Sequence, residues 1–190
     1  PRVREVIIDA QLALGLKYMA NNDYQKALDH FLLARVPDEE AASARSVNRA
    51  IQVNYSIGQA YKAVKLEYKA NEYYKLATET EASQRTEIMS YYKGLCYQEL
   101  NSKKKANEVF DLLVAEGDKR LKDESNEKGE FFAIFGEQDA ESTRKSMSYT
   151  LRGLGNKGLG EKEKAQADLE KAVELSVSNL WATLEFKGME

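Results

Sequence analysis

Few side chains in this sequence can do covalent or metal chemistry. There is one histidine, His30, and one cysteine, Cys96. A zinc site of ordinary composition needs several such ligands, so none can be assembled. Nucleophilic catalysis needs a nucleophile beside a base that a third group orients. No Cys–His or Ser–His–Asp arrangement is recognisable. His30 adjoins Phe31 on a helix, partly exposed at the edge of an apolar stripe, and its expected role is structural. Cys96 falls inside a helix, where a buried, inert thiol is expected. As the only cysteine it forms no intramolecular disulfide and leaves the redox compartment open. Gly153-Leu154-Gly155 and Gly158-Leu159-Gly160 invite comparison with a phosphate-binding loop. They lack the following lysine and hydroxyl residue, and no strand precedes them. Carboxylates are abundant but fall on the polar faces of helices, with no pair poised for acid–base work. Asn54-Tyr55-Ser56 matches a glycosylation sequon inside a helix, and it is discounted. The expectation is a non-enzyme with no catalytic residue, no metal and no cofactor.

Charge narrows the partners. The chain of 190 residues has 28 Lys and Arg against 31 Asp and Glu, a net charge of −3, with both signs mixed throughout. A nucleic-acid binder would show a clustered basic stretch, and a membrane-surface protein a basic amphipathic run. Neither is visible, and no apolar run approaches the ~20 residues of a membrane span. Two prolines suit an almost wholly helical chain. No signal peptide is visible and the sequence opens at Pro1, which reads as a fragment or processed product. The compartment stays open, with the cytoplasm the nearer guess.

What must position the rest is a repeated pair of helices. Gly15, Tyr18, Ala27, Phe31 and Ala34 set a spacing that Gly58, Tyr61, Ala70, Tyr74 and Ala77 repeat without change. Gly94, Tyr97, Ala106, Phe110 and Leu113 repeat it with one change, and Gly153, Asn156, Ala165, Leu169 and Ala172 with two. A fixed pattern along a chain marks stacked repeats. In the first copy, Asn21-Asn22-Asp23 suits a helix end and the next N-cap. Glycine and alanine lie equally far from that turn, so in an antiparallel hairpin they are expected opposite each other. Tyr24, Ala27, Leu28 and Phe31 then form one apolar stripe. The expected repeats are about 4–36, 38–80, 85–116 and 138–176, with an insertion at 117–137 and a capping helix at 178–187, in a single domain 1–190. Asp38 to Val64 reads as one long helix. Lys103-Lys104-Lys105 reads as a solvated face. Trp181, with Leu180, Leu184 and Phe186, is expected to cover the last apolar face.

This pattern resembles the tetratricopeptide repeat family, L-G-x-x-Y followed by A-x-x-x-F in a unit of about 34 residues. The family's tryptophan is missing from every copy, its terminal proline has only a rough counterpart in Pro37, and the repeat intervals are unequal. The resemblance implies an all-α fold: a superhelix of about four antiparallel helix pairs plus a C-terminal capping helix. Ser90-Tyr91-Tyr92-Lys93-Gly94-Leu95 and Tyr149-Thr150-Leu151-Arg152-Gly153-Leu154-Gly155 are also similar to the C-terminal repeats of large bacterial proteins that carry an upstream carbohydrate-type β-sandwich.

The resemblance further implies a concave groove lined by the first helix of each pair. Carried over by phase, its positions are Leu12 and Leu16; Gln52, Tyr55, Gln59 and Lys62; Ile88, Tyr91, Leu95 and Gln98; and Met147, Thr150, Leu154 and Lys157. The leucines of the first copy argue against a clamp for a chain-terminal carboxylate. The implied function is a non-enzymatic scaffold for a protein segment or a neighbouring domain. The alternative is an accessory module bracing a larger carbohydrate-active protein. In the first helix, Ile7, Ala10, Leu14 and Tyr18 form one apolar stripe. Ile8, Leu12, Leu16 and Met19 form a second, expected to meet something outside the repeat, such as a second copy in a homodimer. Phe131 to Phe135 is expected to dock near Tyr91 and Leu95.

Overall fold

The computed structural model describes residues 2–35, 44–80, 88–126 and 135–189. Among these the chain is all-helical: α1 Arg2–Ala20, α2 Tyr24–Leu33, α3 Ala44–Ala63, α4 Glu67–Glu79, α5 Met89–Glu99, α6 Lys103–Asn126, α7 Phe135–Leu159, α8 Lys162–Leu175 and α9 Leu180–Lys187. More than two-thirds of the described residues are helical, and no strand occurs among them. Packing divides the chain into two compact units. One is Pro1–Arg85 with Tyr92–Ala106, and the other is Thr86–Tyr91 with Asn107–Glu190. Asp38 to Ser43, expected as the start of the long third helix, and Phe131 to Ile134 lie outside the described residues.

Four turns carry the repeat, and they are built alike. The residue seven places after each repeat glycine has a positive φ: Asn22 (59°), Lys65 (62°), Asn101 (56°) and Gly160 (83°). The next residue's N–H donates back to the carbonyl three places after the glycine. These bonds are Asp23 to Tyr18, Leu66 to Tyr61, Ser102 to Tyr97 and Glu161 to Asn156, at 2.8–3.0 Å. The positive-φ residue itself donates to the carbonyl one place further on: Met19, Lys62, Gln98 and Lys157. This double closure is the Schellman ending of a helix, and it satisfies carbonyls that would otherwise be orphaned. Each following helix opens with the alanine's N–H on the turn residue's carbonyl: Ala27 on Asp23, Ala70 on Leu66, Ala106 on Ser102 and Ala165 on Glu161. The chain is therefore an all-α helical-repeat protein. Lys65 is the one turn residue without a local reason to be left-handed. That conformation costs an ordinary L-residue about 1–2 kcal/mol, and asparagine tolerates it better. Lys65→Asn is expected to raise stability by up to about 1 kcal/mol in urea melts. An unchanged midpoint would mean that the lysine side chain offsets its own strain.

In the hairpin interior the repeat glycine lies against a large side chain. A Cβ on Gly15 would lie 2.2 Å from the Phe31 ring, one on Gly58 2.3 Å from Tyr74, and one on Gly153 2.9 Å from Leu169. The glycine makes room for the large residue sixteen places on. The alanine is fully buried in all four copies. Phe31, Tyr74, Phe110 and Leu169 are each at most 1 % exposed, and each such burial is worth about 1.5–3 kcal/mol. A further pair recurs at the glycine's third and fifteenth followers. Tyr18 stacks on His30 with centroids 5.2 Å apart, and Tyr61 on Tyr73 at 5.5 Å. In the fourth copy Asn156 instead donates to Asp168 at 3.1 Å.

The 117–137 stretch, expected as an insertion, is helical well into its length. α6 runs on to Asn126, and α7 begins at Phe135. Gly117 is what permits the extension. A Cβ there would meet the Arg152 backbone nitrogen and the Ser148 carbonyl oxygen at 2.9 Å. Gly155 of α7 reciprocates, lying against the Phe110 carbonyl and Val114, and Gly158 lies under the Phe110 ring. α6 thus crosses α7 at a patch of glycines, which is why this region is so rich in them.

The capping helix α9 is seated differently from the expectation. Ala182 is fully buried, Trp181 and Phe186 are half-buried, and Leu180 and Leu184 are exposed. Asn179 does much of the holding. Its Nδ2 donates to Ser146 Oγ and Thr150 Oγ1, both at 2.8 Å, and its Oδ1 caps the helix at the Ala182 N–H. Lys157 adds an ion pair to Glu185 at 2.7 Å.

Candidate interaction surface

Of the positions carried over from the sequence, α3 supplies four, and the first unit brings them together along the seam with its part of α5. Gln52 is buried and donates from Nε2 to the Tyr92 hydroxyl at 3.3 Å. The Tyr55 ring tilts against Tyr92 and Tyr74, with centroids 5.6 and 6.3 Å apart. Gln59 donates both to the Tyr74 hydroxyl at 3.1 Å and to Glu99 Oε1 at 2.9 Å. Lys62 pairs with Glu99 Oε2 at 2.6 Å. Arg49 extends the row, donating to Gln52 Oε1 at 2.9 Å and pairing with Asp9 of α1 at 2.6 Å. Burial, and then the Glu99 carboxylate, push the Tyr74 phenol far above its ordinary range, so it stays protonated. The side-chain donors of Gln52, Gln59 and Lys62 are therefore engaged within the protein.

The remaining positions scatter. Leu12 is buried, Leu16 is exposed, Leu95 is half-buried and Gln98 is exposed. Tyr91 and Ile88 belong to the second unit, where buried Tyr91 meets Phe110 at 6.0 Å. Leu154 and Thr150 are buried, Met147 is partly exposed, and Lys157 holds Glu185. The two stripes of α1 divide differently from the expectation. Ile8 and Leu12, from the stripe assigned to an outside partner, are buried within the unit, while Leu16 of that stripe is exposed and Met19 half-buried; of the other stripe, Ile7, Ala10 and Leu14 are exposed and Tyr18 is half-buried. The rotation follows from Gly15, which must face Phe31. Ile8 and Leu12 lie seven and three residues before Gly15 and share its face.

His30 and Cys96 are both held by their surroundings. His30 Nδ1 lies 2.7 Å from Gln11 Oε1, and the ring stacks on Tyr18. Cys96 is fully buried, and desolvation followed by Glu99 pushes its thiol upward, away from the reactive thiolate. Among the described residues no three His, Cys, Asp or Glu side chains gather as a metal site, and no helix is long and apolar enough to cross a membrane.

Two constellations escape the sequence reading. In the second unit, Arg152 makes a fork onto Asp168, at 3.0 Å from Nε and 2.7 Å from Nη2, while Nη1 reaches Asp118 of α6 at 2.8 Å. Hydrogen bonds to Asp168, and then to Asp118, raise the guanidinium further above its already high range. In the first unit, a lysine eleven places after each glycine lies over the repeat tyrosine: Lys26 over Tyr18 at 5.4 Å, Lys69 over Tyr61 at 5.2 Å and Lys105 over Tyr97 at 5.6 Å. Lys164 holds the same place in the fourth copy and pairs with Glu161 instead. This was legible in the sequence: Lys105 is a repeat position within the lysine run.

No family model matches the chain, and no curated protein does. Among solved structures, it is similar to the TPR2AB domain of yeast Sti1 in its pHSP90 complex. The identity is 16 %, 97 % of this chain and 83 % of that chain are covered, and the TM-score is 0.24. So slight a likeness carries no argument; the repeat assignment rests on the four turns.

Proposed function

We propose that this chain is a non-enzymatic scaffold of tetratricopeptide type that binds a protein segment or a neighbouring domain of its own chain. The observation that supports it is the outward face of α1. Ile7 and Leu14, seven residues apart on one row, are 51 % and 40 % exposed and Val6 beside them is 66 % exposed, while Ile8 and Leu12 on the other side of the same helix are committed to the core. Apolar rows of this kind on a repeat protein are characteristic of docking faces. The seam residues Gln52, Tyr55, Gln59 and Lys62 serve the scaffold by fixing α3 against α5. A partner reached in cis, as in an accessory module bracing a carbohydrate-active protein, draws its support from the motif resemblance at Ser90 to Leu95 and Tyr149 to Gly155. An Ile7→Glu/Leu14→Glu variant tests the proposal. It is expected to keep its melting temperature and to lose a partner, or a second copy, that wild type retains in cross-linking and sedimentation. Identical cross-links and sedimentation in both proteins would sink the proposal.

A further inference from the structure

The three hairpin tips of the first unit lie at one end. α3 and α5 run parallel, because Gln52 reaches Tyr92 while Gln59 and Lys62, later in α3, reach Glu99, later in α5. α1 joins in the same sense, with Asp9 in its first half paired to Arg49 in the first half of α3. α1, α3 and α5 all end in the same Schellman turn, so the side chains at and beside those turns gather at this end. Six of them are basic: Lys17, Lys65, Lys69, Lys103, Lys104 and Lys105. Among the described residues, none of the six has a carboxylate within ion-pair reach. The tips' own acids are largely used. Asp23 is paired with Lys26 at 2.7 Å and Glu99 with Lys62 at 2.6 Å, which leaves Glu67. The α4 N-terminus opens at the same end with Leu66 in the cap position and no side-chain acceptor, so its first-turn N–H groups add positive charge. Leu66 and Tyr68 place exposed apolar surface beside the lysines.

We propose that this end of the unit docks an acidic protein segment carrying apolar residues among its carboxylates. The proposal rests on the scaffold reading and names its partner class. Lysines are compact charges with freely rotating donors, which suits carboxylates spaced along a flexible chain, and no arginine fork for phosphate stands among them. An anionic bilayer would press against the whole end, Asp23 and Glu67 included, whereas an extended segment passes between them. Attraction of this kind is strong at low salt and falls as ionic strength rises.

The test uses the full chain and a short fluorescein-labelled peptide of alternating glutamate and leucine, read by fluorescence anisotropy. The peptide is expected to bind at least about tenfold more tightly than its glutamine-for-glutamate counterpart, and to weaken with added salt. Lys65→Glu/Lys103→Glu/Lys104→Glu is expected to weaken it by about tenfold or more. Lys75→Glu, exposed on α4 away from this end, should leave the affinity unchanged. Should the charge-swapped chain fail to fold by circular dichroism, the corresponding triple glutamine variant replaces it, and the same loss is expected. Equal binding of the two peptides, or an affinity unmoved by the lysine variants, overturns the proposal. So does tighter binding of phosphatidylserine vesicles or a single-stranded oligonucleotide than of the glutamate peptide. Ile7→Glu/Leu14→Glu should leave this binding intact, so a failure here and a failure of the α1 face are separately visible.

Discussion

Alanine at Tyr74 is expected to cost the first unit about 3–5 kcal/mol, read as a fall in the urea midpoint with the slope retained. The ring is 1 % exposed, sits against the backbone of Gly58, meets Tyr55 and accepts a hydrogen bond from Gln59. Its removal therefore leaves a cavity and a half-satisfied amide together. Leucine at Gly58 is expected to destabilise by the opposite route, by about 1–3 kcal/mol, because its Cβ would start 2.3 Å from the same ring. Gly58→Leu/Tyr74→Ala should cost less than the sum of the two, since the leucine fills the space the ring vacates. Strict additivity would show that the two positions do not share a volume.

Arg152→Met is expected to cost about 3 kcal/mol, the low end of the range for orphaning one partner of a buried ion pair. Asp168 is the buried partner, with 9 % of its side chain exposed, and it keeps only the Asn156 amide once the guanidinium is gone. The partial exposure of Arg152 (27 %) and Asp118 (44 %) holds the cost down. Arg152→Met/Asp168→Leu should recover much of the loss, because an apolar pair of similar volume carries no stranded charge. A double variant no better than the single one would mean that the network's geometry matters more than its charge balance.

The four-fold pattern was legible because its residues answer to local rules. A glycine, a turn residue and a small residue at fixed intervals specify one hairpin regardless of what surrounds it. What could not be read were the features set by partners distant in sequence. Gly155 and Gly158 look like loop residues until α6 lies on them, and Gly117 looks like a break until α7 lies beneath it. Asp118 and Asp168 are two acids among many until Arg152 gathers them. The two stripes of α1 are nearly equal in apolar content, so composition could not choose between them. The contact between Gly15 and Phe31 decided, and it placed Ile8 and Leu12 inside. The groove positions depend on the same kind of distant contact. Phase from the glycine names a helix face, but whether Gln59 and Lys62 also bond to Glu99 depends on how closely the neighbouring helix stands. The lysine over each tyrosine was available from spacing alone and was hidden within a run of three.

Gln59 holds a tyrosine of its own hairpin with the same amide nitrogen that holds Glu99 of the next. One side chain therefore stands in both the intrinsic term of a repeat and the interface term between repeats. Solenoids usually fray from their ends, repeat by repeat. Here, opening of the second hairpin also strips a donor from Glu99 of the Tyr92–Ala106 segment, and loss of that segment strips an acceptor from the hairpin. Native-state hydrogen exchange is expected to show the openings of these two stretches coupled, with Gln59→Ala lowering protection in both.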